Sequence, residues 1–237
     1  EPTVVPSEHF NTVLYTGNSS TNAITGVGFQ PDFTWLKGRS YADAHALFDA
    51  VRGVNLRLYS YTTAAEMVAT NQLDSWEADG FTLGVDGAGQ VNASAQAYVA
   101  WNWKANGAGV SNTNGSITST VSANVDAGFS IVSWAGNSTN GATIGHGLGK
   151  VPNMIIAKAR DVAQNWIVYR PEIGSSNVLL LNATSAAFAD GAWNSTTPTS
   201  SVFTVNNGQG INESPYNYIA YAFHSVEGYS KVGSYTG

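Results

Sequence analysis

The chain of 237 residues contains no cysteine, and only 11% of its residues are charged. The missing cysteine excludes disulfides and thiolate metal sites. The charged fraction is well below the roughly 25% usual for soluble domains, so glycine and the hydroxyl and amide side chains supply most of the polarity. The net charge of −6 disfavours electrostatic binding to nucleic acid or to an anionic membrane. No apolar run has the length of a transmembrane helix, so we predict no membrane insertion and no nucleic-acid partner.

Sequence signatures of catalysis are also missing. There is no Gly-x-Ser-x-Gly nucleophile elbow and no phosphate-binding glycine loop, and the four histidines are scattered in a way that fails as a zinc pattern. The loop acids Asp74, Glu77, Asp79 and Asp86 have no acidic counterparts in the second half of the chain, so a glycosidase carboxylate pair is weakly supported. We predict a protein that is not an enzyme and holds no cofactor and no metal. A polysaccharide-degrading enzyme stays open as a minor alternative.

The strongest positive signal is an internal repeat. Phe10 opens the stretch FNTVLYTGNSSTNAITGVGFQPDFTWLKGR, and Phe129 opens FSIVSWAGNSTNGATIGHGLGKVPNMIIAKAR. The match closes with AYVAW at residues 97–101 against NYIAY at residues 217–221. Two tandem copies of about 120 residues each indicate one domain per copy.

The local pattern predicts an all-β fold. Short runs of β-branched and aromatic residues alternate with Gly, Asn and Pro turns, which favours two tandem antiparallel β-sandwich domains, concanavalin- or jelly-roll-like, from an internal duplication. A single sandwich, in which each copy supplies one sheet, is the alternative. Only residues 62–72 have a helical composition, and they predict one short helix. The expected boundaries are a linker at 1–9, copy one at 10–104, a linker at 105–115, copy two at 116–231, and the start of a third copy at 232–237.

The last strand of each copy predicts a buried aromatic face. Apolar side chains recur at alternate positions, which is typical of a packed strand surface. A platform for stacking sugars is the alternative interpretation. The positions concerned are Val99, Trp101 and Trp103 in copy one, and Ile219, Tyr221 and Phe223 in copy two.

Aromatic residues in or beside predicted turns are the candidate ligand-binding residues. Next to Asn and Asp, such rings suit stacking on sugars while the polar groups bond hydroxyls. They suit equally well the role of anchors for a neighbouring subunit, because Tyr and Trp are enriched at protein interfaces. Both interpretations stay open for Tyr41, Tyr59, Tyr61, Trp76, Trp193 and Tyr216.

The densest charged region of the sequence runs from Lys37 to Arg52 in copy one, and copy two keeps two of its cations, as Lys158 and Arg160. Retention of cations without the neighbouring histidine and carboxylates favours structural support over acid–base catalysis, and contact with a ligand is the alternative interpretation. We therefore predict a structural ion-pair cluster formed by Lys37, Arg39, Asp49, Arg52, Lys158 and Arg160.

The repeats also resemble a known family. The runs VGFQPDFTWLKGRS, HALFDAVRG, DGFTLG and YVAWNWKA are similar to a repeat unit of virion proteins of tailed bacteriophages, especially marine ones, and copy two fits through GFSIVSWAG, GHGLGKVPNMIIAKAR and YIAYAFHSVEGYSKVGSYTG. The resemblance covers nearly the whole chain after the first linker. It implies a tandem-repeat virion structural protein, on a tail fibre or displayed on the particle surface, with a part in host attachment.

The resemblance also carries expectations about location and partners. It implies that the chain resides in the virion, contacts other virion proteins and forms a homo-oligomer, with a trimer favoured by analogy to tail fibres. A host surface glycan is the expected ligand. Two alternatives remain, namely a carbohydrate-binding module without catalysis and a capsid decoration protein.

Overall fold

A computed structural model describes residues 4–235, and its contacts divide the chain into two compact units. The N-terminal unit is Pro6–Ala108, and the C-terminal unit comprises residues 109–235, with which Val4 and Val5 group. Both are built from antiparallel strands. The described residues contain two single-turn 3₁₀ helices, Pro6–Glu8 and Pro171–Ile173. Within this part of the chain no helix has the length and apolar character needed to cross a membrane.

The N-terminal unit is a sandwich of two sheets. Its larger sheet has six strands in the order β1-β9-β3-β4-β5-β6, and its smaller sheet has three in the order β2-β8-β7. Side chains such as Leu36, Phe48 and Phe81, each at most 1% exposed, form the core of this unit. The strands are β1 Phe10–Thr16, β2 Asn22–Ile24, β3 Phe33–Gly38, β4 His45–Asp49, β5 Leu56–Tyr59, β6 Met67–Val68, β7 Leu73–Glu77, β8 Gly80–Leu83 and β9 Ala97–Trp103.

The C-terminal unit is also a sandwich. Its larger sheet has eight strands in the order β10-β11-β12-β19-β14-β15-β16-β17, and β13 pairs with β18 in a second sheet. Trp134, Trp193 and Phe203 lie at the centre of its core, with the ring centroids 5.6 to 6.1 Å apart. The strands are β10 Val110–Asn112, β11 Ser119–Asn124, β12 Phe129–Ala135, β13 Ala142–Gly145, β14 Met154–Ala159, β15 Ile167–Tyr169, β16 Asn177–Leu180, β17 Phe188–Ala189, β18 Val202–Val205 and β19 Asn217–Phe223.

The two units repeat one strand order. The N-terminal series β1-β9-β3-β4-β5-β6 corresponds in chain order to the C-terminal series β12-β19-β14-β15-β16-β17, and the pair β2-β8 corresponds to β13-β18. The all-β class and the antiparallel sandwich are confirmed. Because each unit has its own core, the single sandwich with one sheet per copy is wrong. Descent of the units from a duplication, and a kinship with concanavalin or jelly-roll folds, stay predictions.

The predicted linker at 105–115 and the predicted helix at 62–72 need correction. The proposed linker at 105–115 contains strand β10, which pairs with β11, so the second unit begins earlier than the repeat indicates. The expected helix at 62–72 is absent; its centre is instead the edge strand β6, which pairs with β5. Of the predicted linker at 1–9, residues 6–8 form a 3₁₀ turn and residues 1–3 lie outside the described residues. The proposed third copy at 232–237 has no strand in its described part, and residues 236–237 lie outside it.

The predicted aromatic face differs between the units. In the C-terminal unit Ile219 and Tyr221 are at most 2% exposed, which agrees with a buried face. In the N-terminal unit Trp101 and Trp103 are only half-buried. There the opposite side of β9 points into the core, where Ala100 is fully buried. In the C-terminal unit, too, the opposite side of the strand, with Ala220, points into the core. The repeated aromatic positions therefore mark the outer face of each sheet, and this outer face is buried at Ile219 and Tyr221 of the C-terminal unit.

Candidate ligand-binding site

One asparagine in each unit ties the first turn to the loop before the last strand. The Asn92 amide donates to Ser20 O and Gly84 O, each at 2.7 Å, and its oxygen accepts from Asn18 N at 3.0 Å. In the C-terminal unit the Asn212 amide donates to Thr139 O at 3.0 Å, and its oxygen accepts from Asn137 N. Both asparagines are fully buried, and a buried amide is stable only when its partners are present.

The glycine before each of these turns is required by close packing. A Cβ atom on Gly17 would collide with the carbonyl oxygen of Ala93, and one on Gly136 would collide with that of Glu213. Since backbone atoms block both positions, only glycine fits there. The repeated Gly-Asn pair is thus a packing requirement of the fold.

A buried tyrosine closes the same loop in each unit. Ala93 N donates to the Tyr98 hydroxyl at 2.8 Å, and Glu213 N donates to the Tyr218 hydroxyl at 2.8 Å. Burial raises the pKa of Tyr218 to about 12, so this hydroxyl stays protonated and donates to Gln209 O at 2.9 Å. We call the segments 84–92 and 206–212 the asparagine loops.

Beneath its asparagine loop, the N-terminal unit is filled by its own polar side chains. Arg57 Nη1 donates to Gln72 Oε1 at 2.6 Å, and Gln72 Nε2 donates to Asp86 Oδ1 at 2.8 Å. The Arg57 guanidinium lies 4.3 Å from the centre of the Tyr59 ring, and the Tyr59 hydroxyl donates to Gln90 Oε1. Burial lowers the pKa of Arg57, and the ring beneath it offsets part of the desolvation cost.

The equivalent positions of the C-terminal unit carry smaller or apolar side chains. The strand pairing places Leu180 where the N-terminal unit has Tyr59, and Val178 where it has Arg57. Asn206 N bonds Ala192 O just as Gly84 N bonds Gln72 O, so Ala192 replaces Gln72. Counting back from the paired asparagines, Gly210 replaces Gln90.

These replacements leave a cavity of about 260 Å³ in the C-terminal unit. Ligand pockets for drug-sized molecules usually measure about 300–1,000 Å³, so this cavity suits something smaller, such as a single sugar ring. Its apolar wall is formed by Ile167, Leu180, Phe188, Ala192 and Ile211. Its polar rim is formed by Gln164, Asn165, Asp190 and Asn206.

The polar rim offers both donors and acceptors. Asp190 Oδ1 accepts from Ala192 N at 3.1 Å, and Asn165 Oδ1 accepts from Asn182 Nδ2 at 2.9 Å. Neither the second Asp190 oxygen nor the Asn165 amide nitrogen has a hydrogen-bond partner within residues 4–235. Hydroxyl groups both donate and accept, so a polyol matches such a set. Of the charged residue types, only Asp190 lines the cavity, which disfavours anionic ligands.

The six predicted aromatic residues do not form this site, since none of them lines the cavity. Trp193 is fully buried in the core, and this corrects its assignment as an exposed turn residue. Tyr59 is 9% exposed, and Tyr41 is held by Asp43, Gly89 and Tyr98. Trp76 and Tyr216 pack against the cores of their units. Of the six, Tyr61 is the one with an open ring, 52% exposed.

The predicted ion-pair cluster contains a buried pair in the N-terminal unit. Arg52 pairs with Asp49 and also with Glu66 at 3.0 Å, a partner that the sequence did not suggest. Lys37 Nζ donates to Gly38 O at 2.7 Å, and Lys158 Nζ donates to Ala159 O at 2.8 Å. The remaining cations, Arg39 and Arg160, lie at exposed and half-buried positions, and Arg160 reaches Ser133 Oγ at 3.5 Å.

The described residues contain no group of three or more His, Cys, Asp or Glu side chains arranged to hold a metal. Asp86 is instead a structural acceptor, taking hydrogen bonds from Asn92 N at 2.9 Å and from Val91 N. The rim residues of the cavity do not stand out in the sequence, because each is an ordinary polar residue in a turn. The sequence signal of the cavity is the loss of side-chain volume between equivalent positions of the two copies. Ala192 replaces Gln72, and Gly210 replaces Gln90.

Comparison with known proteins identifies a family for this chain. Over residues 5–237 the sequence matches the family described as Domain of unknown function (DUF7483). The chain belongs to this family. A single DUF7483 match therefore spans both units. No curated protein and no solved structure matches the chain.

Proposed function

We propose that this DUF7483 chain is a non-catalytic structural module of a tailed-bacteriophage virion, carried on a tail fibre or on the particle surface. Its role there is attachment to the host, together with other virion proteins. The resemblance of its repeats to bacteriophage virion proteins supports this location. The low charge and the absence of cysteine are compatible with exposure on a particle outside the cell.

The ligand we propose is a neutral sugar of the host surface, bound in the cavity of the C-terminal unit. The observation that carries this proposal is the cavity itself, which lies where the N-terminal unit fills the same space with Tyr59, Gln72 and Gln90. The amides and the carboxylate of the rim suit hydroxyl groups, and the apolar wall suits the C–H face of a sugar ring.

Binding to a glycan array and to the surface polysaccharide extracted from the host bacterium tests this proposal. Gly210→Gln restores the side chain that Gln90 provides in the N-terminal unit and fills the cavity. Its Cβ would lie 2.9 Å from Ile167 Cδ1, the end of a flexible side chain that can move. We expect Gly210→Gln and Asp190→Ala to weaken binding by at least about tenfold, which corresponds to ~1.4 kcal/mol.

Asp126→Ala is the matched control, because Asp126 is an exposed acid of the same unit outside the cavity. It should leave the dissociation constant unchanged. Sugar binding that survives Gly210→Gln in a folded protein would remove the cavity as the site. If neither the wild type nor the variants bind any glycan on the array, the proposal of a sugar ligand is wrong. The location is tested separately by mass spectrometry of purified particles, and absence of the chain from them would contradict the virion role.

A further inference from the structure

Strand β1 is an open edge of the N-terminal sheet. It has seven residues, FNTVLYT, with no charge and no proline, and within the sheet its one neighbour is β9. The side chains of Thr12 and Thr16 are exposed, and that of Leu14 is 61% exposed. Proteins usually protect such edges with charges, proline or short strands, because a long uncharged edge pairs with other strands.

The backbone groups of alternate β1 residues point away from β9. Lys104 N donates to His9 O, and Gly17 N donates to Gln96 O, so the odd-numbered residues face β9. The N–H and C=O groups of the even-numbered residues, Thr12 and Leu14 among them, therefore point to the free edge. Thr12 N donates to the Asn11 side chain at 2.9 Å, which is a local substitute for a strand partner.

In the C-terminal unit the equivalent edge is covered by two further strands of the same sheet. Its equivalent strand β12 pairs with β11, and β11 pairs in turn with β10. In that ladder Val121 lies opposite Val132, and Thr120 lies opposite Ser133. The sheet then ends in β10, which has three residues. The N-terminal unit has no strand of its own at this place among the described residues.

We propose that β1 pairs antiparallel with β1 of a second copy of this chain, with Val13 opposite Val13 across a two-fold axis. The two six-stranded sheets then form one continuous sheet. This inference concerns assembly and stands independently of the sugar site.

The sequence of β1 is suited to pairing with itself in this register. Around Val13, Thr12 of one chain lies opposite Leu14 of the other, and both belong to the set whose backbone groups point outward. Val13 opposite Val13 repeats the Val121–Val132 pair of the C-terminal unit. No like charges meet, because β1 carries none, and the exposed Leu14 side chains come within reach of one another diagonally.

The other ends of the two large sheets favour β1 as the contact. Strand β6 has two residues, and β10 and β17 have three and two. Short edge strands give few main-chain bonds, so they pair poorly with another chain. An isologous contact also closes on itself, which yields a dimer rather than a filament.

The solution mass of the full chain tests the proposal. We expect twice the chain mass of 24.9 kDa for the wild type and 24.9 kDa for Leu14→Lys, because a lysine in the centre of an edge prevents pairing. Leu14→Pro removes an outward N–H and should have the same effect. Val110→Lys is the matched control, since Val110 is 63% exposed on the short edge β10, and it should remain a dimer. A monomeric wild type, or a dimer that persists in both Leu14 variants, overturns the proposal.

Cysteine cross-linking tests the register in this cysteine-free chain. We expect a mixture of Thr12→Cys and Leu14→Cys chains to form an intermolecular disulfide, because these positions face each other across the two-fold axis. Leu73→Cys, at a fully buried position, is the negative control. A mixture that forms no disulfide overturns the register. A trimer in solution overturns the two-fold pairing and agrees instead with the tail-fibre analogy.

Discussion

The N-terminal and C-terminal units use one strand order around two different interiors. Beneath its asparagine loop, the first unit contains a chain of hydrogen bonds that runs from Arg57 through Gln72 to Asp86. At the same place the second unit has a cavity lined by short side chains such as Ala192 and Gly210. The asparagine and tyrosine that shape the loop are the same in both. The shared asparagine and tyrosine thus serve packing, whereas the residues beneath the asparagine loop decide whether space remains for a ligand.

The first test of this comparison removes the buried asparagine that both units share. Asn92→Ala should lower the free energy of unfolding by about 4 kcal/mol, and Asn212→Ala by about 3 kcal/mol, because each leaves buried backbone groups without partners. Asn92 has the larger effect since it also bonds Gly84 O and Asn22. Hydrogen–deuterium exchange, resolved by peptide, should assign each loss to its own unit.

Asn207→Ala is the control for these variants. Asn207 is exposed in the C-terminal asparagine loop, so we expect a change within about 0.5 kcal/mol. Equal protection in wild type and Asn212→Ala would show that the loop is held by other contacts. The buried asparagine would then not be the residue that stabilises the loop in both units.

The second test converts the interior of the first unit toward that of the second. Gln72→Ala should cost about 3 kcal/mol, because it takes one partner from a buried guanidinium and from the Asp86 carboxylate. Arg57→Val together with Gln72→Ala reproduces the Val178 and Ala192 pair of the second unit. Urea unfolding should show a double variant less destabilised than the sum of the single variants by about 1–2 kcal/mol.

If the changes in the free energy of unfolding are strictly additive, Arg57 and Gln72 are not coupled, and the hydrogen bonds do not act as a network. Gln96→Ala is the control in the same unit. Gln96 is half-buried and accepts one hydrogen bond from Ser40, so its removal should change the free energy of unfolding by no more than about 0.5 kcal/mol.

The strands of the large sheets were predictable from the sequence, because a repeated pattern of alternating apolar residues marks them. The run FNTVLYT, which opens copy one, is strand β1, and the run NYIAY, which closes the match in copy two, lies in β19. The two- and three-residue strands were not predictable. Strand β10, for example, lies in a run of small residues without alternation, and only pairing with β11 makes it a strand.

The errors at residues 62–72 and at Trp193 have physical causes. Ala, Glu and Met favour a helix, but Glu66 is held by Arg52 and Met67 pairs with Arg57 on β5, so tertiary contacts prevail over propensity. Trp193 lies in a turn beside Asn194 and Ser195, which are exposed or half-buried with positive φ. Neighbours of that kind suggest an exposed ring, yet the side chain points the other way and fills the core.

The cavity was not predictable from residue types, because its rim consists of common polar residues. It follows from the repeat only when the two copies are aligned through Asn92 and Asn212, which exposes the loss of side-chain volume at Ala192 and Gly210. The open edge at β1 likewise follows from comparing two sheets, since a single copy does not show that a covering strand is missing.

The lysines of the two units also differ. Lys158 on β14 and Lys37 on β3 hold equivalent positions, and each ammonium donates to the next carbonyl. Lys158 is fully buried, and burial lowers its pKa from 10.5 to about 8, whereas Lys37 is only half-buried. Between pH 8 and 10.5 the native amine has lost its proton and the unfolded one has not. The unfolded state then binds more protons, so the free energy of unfolding rises with pH across this window.

Lys158→Met removes both the cost of the buried charge and this pH dependence. We expect the variant to be more stable than wild type by about 2 kcal/mol at pH 7, with the difference shrinking as pH rises from 8 to 10.5. Lys37→Met is the matched substitution in the other unit, and its effect should stay within about 0.5 kcal/mol. Urea unfolding at several pH values measures the difference between each variant and wild type. A Lys158→Met protein less stable than wild type at pH 7 would mean that the hydrogen bonds of the ammonium outweigh its desolvation, and the lysines would then not separate the two units.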